Sequence, residues 1–141
     1  MVVIKNILKA LLPDFFNTSN LSEKTNRAVF VLTYKNKIIG FLEYKDKKWL
    51  FRYSENFKKN NFINPLLDFP LIDKEYKFTA LPPFFAARIP SINQPFHKKK
   101  LLKYKGNVND IVSLLEIFGV KSINNPFELK KQEDTLISDF N

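Results

Sequence analysis

The 141-residue sequence contains no cysteine, a single histidine and three glycines. Without cysteine there can be no disulfide bond, no thiolate zinc site and no cysteine nucleophile. A single histidine, His97, excludes metal sites that need two or more imidazole ligands. Neither of the glycine-rich phosphate motifs, GxGxxG and GxxxxGK(S/T), occurs. These absences argue against most familiar classes of enzyme, and we expect no metal or other cofactor.

The sequence also lacks a run of about 18 apolar residues, so we expect no membrane-spanning helix. Residues 1–12 are apolar apart from Lys5, Asn6 and Lys9, and Pro13 follows them. Their apolar residues recur at helical spacing, which predicts a short amphipathic helix. This helix would pack on its own domain or dock on another protein. With the polar linker after it, it forms a predicted N-terminal arm over residues 1–27.

Basic side chains outnumber acidic ones by 23 to 14, which gives a formal net charge of +9. The excess lies in residues 1–105, with 20 basic and 8 acidic side chains, whereas residues 106–141 carry 3 and 6. Such asymmetry suits an acidic partner, either phosphate or an acidic protein surface. A lysine-rich solvated surface explains the charge equally well.

The predicted domain, residues 28–132, begins with strand patterns separated by short polar turns. The three patterns are Ala28–Tyr34, Ile38–Tyr44 and Trp49–Tyr53. Short strands joined by tight turns predict an antiparallel meander. A further strand is expected at Leu66–Leu71, although Pro65 and Pro70 would move it to an edge of the sheet or shorten it.

Helical patterns dominate the second half of the chain. We predict helices at Phe84–Ile89 after a Pro-Pro start, at Asn109–Phe118 with Asn109 as N-cap, and at Phe127–Gln132 after Asn-Pro. An extended loop is expected between the first two, through Ser91–Phe96. Strands followed by helices predict an α+β fold, a small antiparallel sheet packed with short C-terminal helices, and residues 133–141 form a tail.

The most unusual stretch is Leu81–Ser91, where adjacent aromatic residues and one arginine lie between prolines. Aromatic and arginine side chains are favoured at protein interfaces. We assign Phe84 to the core and expect the loop after Phe85 to form a rigid, partner-facing protrusion. Trp49 is a second possible anchor if it is exposed. The predicted partner-binding residues are Phe85, Arg88, Ile89, Pro90, Ser91 and Trp49.

A second candidate surface is the basic cluster that follows His97. Its members are Lys98, Lys99, Lys100, Lys103 and Lys105. Such charges neutralise phosphate, but no helix-turn-helix, zinc-finger or RNP motif accompanies them. The alternative function is therefore auxiliary contact with DNA within a repressor complex.

The order of motifs resembles the N-terminal domain of HipA-type serine/threonine kinases. The family's opening strands, with a V-G-x-L-like step, are similar to residues 29–42, and its F-x-Y strand is similar to Phe51-Arg52-Tyr53. Three later motifs, P-L-S-x-x-L-P-L, F-F-x-x-L-L-P and P-F-x-L-L, look like Pro65–Leu71, Phe84–Pro90 and Pro126–Leu129. The resemblance covers roughly residues 28–131.

The resemblance implies a stand-alone, HipS-like antitoxin subunit. The family has an acidic residue after the last proline of F-F-x-x-L-L-P, and this sequence has Ser91 there. The kinase body is also missing, so no catalytic residue is carried over. Such a protein would be a non-enzymatic bacterial regulator that binds and restrains a HipA- or HipT-type kinase toxin. A complex with a HipB-like DNA-binding subunit, a cytoplasmic location and no membrane contact are further implications.

Overall fold

The computed structural model describes residues 27–132. The predicted N-terminal arm and the tail lie outside these residues, except that Arg27 belongs to the first strand. The elements are β1 Arg27–Tyr34, β2 Lys37–Lys45, β3 Lys48–Tyr53, α1 Glu55–Asn60, β4 Tyr76–Phe78, α2 Pro83–Ala86, α3 Pro95–Lys103, α4 Ile111–Phe118 and β5 Glu128–Lys131. The α+β fold predicted from the sequence is confirmed.

The first three strands form the predicted meander. Each connection is a two-residue turn, Lys35-Asn36 and then Asp46-Lys47, and all four residues have positive φ. Positive φ at both central residues defines the turn type whose twist matches antiparallel strands. The pairs β1–β2 and β2–β3 are antiparallel, with β1 displaced by an irregularity between Leu32 and Thr33.

Two more strands complete a five-stranded sheet in the order β4-β3-β2-β1-β5. The strand predicted at Leu66–Leu71 is wrong, because this segment is a loop with a turn and the edge strand is β4. The helix predicted at Phe127–Gln132 is also wrong. Its residues pair with the open edge of β1, where Leu129 lies opposite Leu32 and is buried. Sheet pairing overrides the local Asn-Pro helix signal here.

One face of the sheet carries an aromatic core. Trp49, Phe51 and Tyr53 lie on this face of β3 as the period-2 pattern predicts, and each is at most 2% exposed. The ring centroid of Phe51 lies 4.5 Å from that of Phe69 and 5.7 Å from that of Phe85. The loop before β4 and helix α2 therefore cover this face together.

Helix α3 has no counterpart among the predicted helices, and α4 is capped one residue later than predicted. The extended loop predicted through Phe96 ends earlier, because Pro95 is the first residue of α3. Proline suits this position since its missing N–H has no helical partner there. Helix α4 is capped by Asp110, whose side chain accepts a hydrogen bond from the Val112 N–H, rather than by Asn109.

Candidate functional site

The segment predicted to protrude, Leu81–Ser91, is packed into the domain. Phe85 is fully buried and its ring stacks near that of Phe69, with centroids 6.0 Å apart. Phe84, expected in the core, is half-buried beside it. Helix α2 begins at Pro83 and turns the Phe85 side chain towards the sheet. The expected outward orientation of Phe85 is therefore wrong.

Arg88 is also buried, with 6% of its surface exposed. Its guanidinium donates hydrogen bonds to the Gly119 carbonyl (2.9 Å), the Asn125 Oδ1 atom (2.9 Å) and the Phe127 carbonyl (3.0 Å). Burial lowers the pKa of Arg88 below its ordinary value. The expectation that Arg88 faces a partner is wrong, because this side chain ties α2 to the end of α4 and the start of β5.

Trp49, the second predicted anchor, is 2% exposed and contacts Tyr44 and Phe30 within the core. It is therefore not exposed as an anchor would be. Three residues of the predicted set remain accessible at least in part. Ile89 and Pro90 are half-buried and Ser91 is exposed, so partner contact through these three stays a prediction.

The segment 65–71, which we call the proline loop, presents apolar side chains outwards. Leu66 and Phe69 are buried, at 7% and 1% exposure, whereas Leu67 is 97% and Leu71 is 61% exposed. The Phe69 N–H donates to the Leu66 carbonyl at 2.9 Å, which closes a turn with Leu67 near its tip. The loop is thus anchored by two inward side chains and displays two outward leucines.

Two tyrosine hydroxyls hold this loop in place. The buried Tyr53 hydroxyl accepts a hydrogen bond from the Leu66 N–H (2.9 Å) and donates one to the Phe69 carbonyl (2.6 Å). The Tyr76 hydroxyl accepts one from the Leu71 N–H at 2.8 Å. Burial raises the pKa of Tyr53 to about 12, although the bond from Leu66 opposes this change. A loop fixed in this way loses little conformational entropy on binding.

Two open grooves flank the proline loop. One, of about 480 Å³, is lined mainly by apolar side chains, including those of Tyr34, Phe84 and Phe127. The other, of about 740 Å³, runs past Pro70 and Leu71 towards Asp73. Exposed leucines between apolar grooves are typical of a protein-binding surface rather than of a catalytic cleft.

The sequence contains a signal for this surface in Pro65 and Pro70. If the segment is read as a strand, these prolines move the strand to the edge of the sheet. The same prolines, together with the Asp68 between them, are also typical of turns. In a strand, every second side chain points inwards. A loop that contains a turn does not follow this alternation, so the strand pattern does not identify Leu67 and Leu71 as exposed.

The basic cluster lies on and just after α3. Lys98, Lys99, Lys103 and Lys105 are exposed, and the Lys100 ammonium is half-buried, 5.4 Å from the Phe118 ring centroid. Residues 91–109 contain no acidic side chain. The helix therefore presents a cationic surface, on which Phe96 and Leu102 are also exposed.

Within residues 27–132, no group of three or more His, Asp or Glu side chains is placed to hold a metal ion. In the same part of the chain no helix is long and apolar enough to cross a membrane.

These features define a small α+β domain whose most prominent surface is a rigid apolar loop. Residues 30–123, about two thirds of the chain, match the HipA N-terminal domain family. The chain belongs to this family, which confirms the resemblance seen in its motifs and connects it with toxin–antitoxin systems. The match does not include the catalytic part of the kinase. A comparison with curated proteins gives no match.

Proposed function

We propose that this protein is a non-enzymatic regulator that binds and restrains a HipA- or HipT-type serine/threonine kinase toxin. The observation that carries the proposal is the family match over residues 30–123. Because the family is named for the N-terminal domain of a kinase, contact with such a kinase is the action that we propose for this domain.

The contact surface that we propose is the proline loop with its two grooves, together with Ile89, Pro90 and Ser91. Leu67 and Leu71 supply apolar area on a backbone already held by Tyr53 and Tyr76. Phe85, Arg88 and Trp49 support this surface from inside the domain rather than touching the kinase. A HipB-like DNA-binding subunit is a further partner that the family suggests.

Co-purification tests this function directly. The tagged chain is co-expressed with a HipA-family kinase encoded in the same genome, and we expect the two to purify together and kinase autophosphorylation to fall. Leu67→Asp combined with Leu71→Asp should abolish both effects, because it places charge in a desolvated contact. Leu102→Asp is the matched control, since Leu102 is 78% exposed but lies on α3.

The outcomes separate the function from the surface. If the unchanged chain neither binds nor inhibits the kinase, the proposed function is wrong. If it binds and the Leu102 variant alone loses binding, the function holds and the proline loop is not the contact.

A second candidate function, auxiliary DNA contact, is favoured by the exposed lysines of α3. Phosphate contacts by lysine make affinity fall steeply with salt. We expect any affinity of the isolated chain for duplex DNA to show this dependence and to be lost in Lys98→Glu with Lys103→Glu. Lys59→Glu, on α1, is the control. A salt-independent affinity, or none at low salt, contradicts DNA contact.

A further inference from the structure

The face of the sheet opposite the aromatic core, which we call the second face, is apolar at its centre. Val29, Val31 and Phe41 form a cluster there at 5–6% exposure, and Ile38 packs against it. An antiparallel sheet with one packed face normally carries polar side chains on the other. Apolar side chains at this position, already largely removed from solvent, indicate that a further segment of protein covers them.

Charged side chains flank this apolar centre, and two ion pairs lie among them, Arg27 with Glu43 at 2.9 Å and Lys130 with Glu128 at 3.9 Å. The strand registers align Lys130, Val31, Phe41 and Arg52 in one row across β5, β1, β2 and β3. The Arg52 guanidinium lies 4.6 Å from the centroid of the Phe41 ring. A segment that complements this row is therefore apolar in part and acidic.

The last nine residues of the sequence have this composition. Residues 133–141 contain three acidic side chains and no basic one, together with Leu136, Ile137 and Phe140. Residues 1–26 are also outside the described chain, but they carry three lysines against two acidic residues. Charge complementarity therefore favours the C-terminal segment over the N-terminal one.

The C-terminal segment also starts at the correct place. The Gln132 N–H donates a hydrogen bond to the Val29 carbonyl at 2.8 Å, so the described chain ends at the β5 edge of the sheet, beside β1. The path from β5 to β3 crosses three strand spacings, about 14 Å. Nine extended residues reach about 30 Å, which is more than enough.

We propose that residues 133–141 cross the second face of the sheet. Their apolar side chains cover Val31 and Phe41, and their carboxylates lie near Arg52 and Lys130. The segment then forms a layer on this side of the sheet. Because it occupies the surface through apolar contact and charge together, salt weakens its hold without abolishing it.

Since the chain has no cysteine, one introduced cysteine carries a single nitroxide label without side reactions. With the label at Ser138→Cys in the full chain, we expect strong paramagnetic broadening of the Val29 and Val31 methyl signals. The methyl signals of Leu115, which lies in the aromatic core, should stay sharp. The matched control carries the label at Asn17→Cys and should leave Val29 and Val31 unaffected. Adding Asp139→Lys to the Ser138-labelled chain should reduce the broadening several-fold.

Three results would overturn the proposal. Broadening from the Asn17 label alone would assign the second face to the N-terminal segment. Broadening of an isotope-labelled, nitroxide-free chain by an added nitroxide-labelled one would assign it to a second copy. Sharp Val29 and Val31 signals with both labels would leave the segment away from this face.

Discussion

Two apolar, proline-containing segments of this domain have opposite orientations. Segment 82–90 directs Phe85 and Arg88 into the core, whereas the proline loop exposes Leu67 and Leu71. Both resemble an interface in composition, but only the second has strongly exposed leucines, whereas Ile89 and Pro90 of the first are half-buried. Composition therefore does not determine which side chains are exposed. Exposure depends on where their hydrogen-bond partners lie and on which helices or strands pack against them.

Arg88 shows most clearly how hydrogen-bond partners determine whether a side chain is buried. Burying a cation costs free energy that hydrogen bonds to the charged group offset. Three acceptors, from the end of α4 and from the two residues flanking Pro126, converge on its guanidinium. In the proline loop, by contrast, the tyrosine hydroxyls bind backbone groups only. The side chains of Leu67 and Leu71 are therefore directed outwards.

The largest expected effect is at Phe85. Phe85→Ala should lower the free energy of unfolding by about 4 kcal/mol, because it leaves a cavity among packed aromatic rings. Equilibrium unfolding in urea measures this loss. Phe96→Ala is the matched control, since Phe96 is 74% exposed, and it should change stability by less than about 0.5 kcal/mol. Equal losses in both variants would contradict the buried position of segment 82–90.

Arg88→Ala should cost about 3 kcal/mol of unfolding free energy. The variant loses three charge-assisted hydrogen bonds and leaves buried carbonyls without a donor. Arg88→Lys, which keeps the charge but not the fork of donors, should recover part of the loss in the same urea experiment. A loss no greater than that of Lys103→Ala, an exposed control, would show that Arg88 does not join the elements around it.

Local patterns predicted the elements whose stabilising contacts are near in sequence. The meander followed from alternation and two short turns, and α4 ends at Phe118 as predicted. Strand β5 was missed because Asn125-Pro126 is a valid helix start. Indeed, the Asn125 side chain caps the Phe127 N–H, but pairing with β1 then takes over. That contact joins residues about a hundred positions apart, which no local pattern encodes.

The candidate site was predictable only in outline. The family motif included Pro65–Leu71, but which leucines point outwards depends on Tyr53, 13 residues before Leu66, and on Tyr76, five residues after Leu71. The mistaken assignment of Arg88 has the same origin, since its acceptors begin 31 residues later. Side-chain hydrogen bonds to backbone groups outside the local pattern, rather than propensity, determine both outcomes.

Tyr53→Phe should lower the free energy of unfolding by an intermediate amount, about 2 kcal/mol, because the Leu66 N–H and the Phe69 carbonyl both lose a buried partner.

The same variant tests how the free energy of unfolding depends on pH. The folded protein raises the pKa of Tyr53 from 10.0 to about 12, so it favours the protonated hydroxyl. The stabilising contribution is therefore complete below pH 10 and is lost as the pH rises from 10 to 12.

Urea unfolding at several pH values measures this dependence. The difference in stability between the unchanged chain and Tyr53→Phe should be constant below pH 10 and shrink above it. A pH-independent difference would mean that the hydroxyl is not held as described. Tyr44→Phe is the control, since Tyr44 is only half-buried.

The smallest effect on stability is expected where the effect on binding is largest. Leu67→Ser combined with Leu71→Ser should change the unfolding free energy by less than about 0.5 kcal/mol, because both side chains are already in solvent. Leu66→Ser, one residue away but buried, should cost about 3 kcal/mol, since it removes a buried apolar side chain and introduces a hydroxyl there. Thermal unfolding of the unchanged chain, the double variant and Leu66→Ser gives the comparison.

If the double variant is as unstable as Leu66→Ser, the outward leucines contribute to the domain's own packing and the loop is not a free docking surface. If it is stable and still fails to bind the kinase, the loop serves the partner rather than the fold.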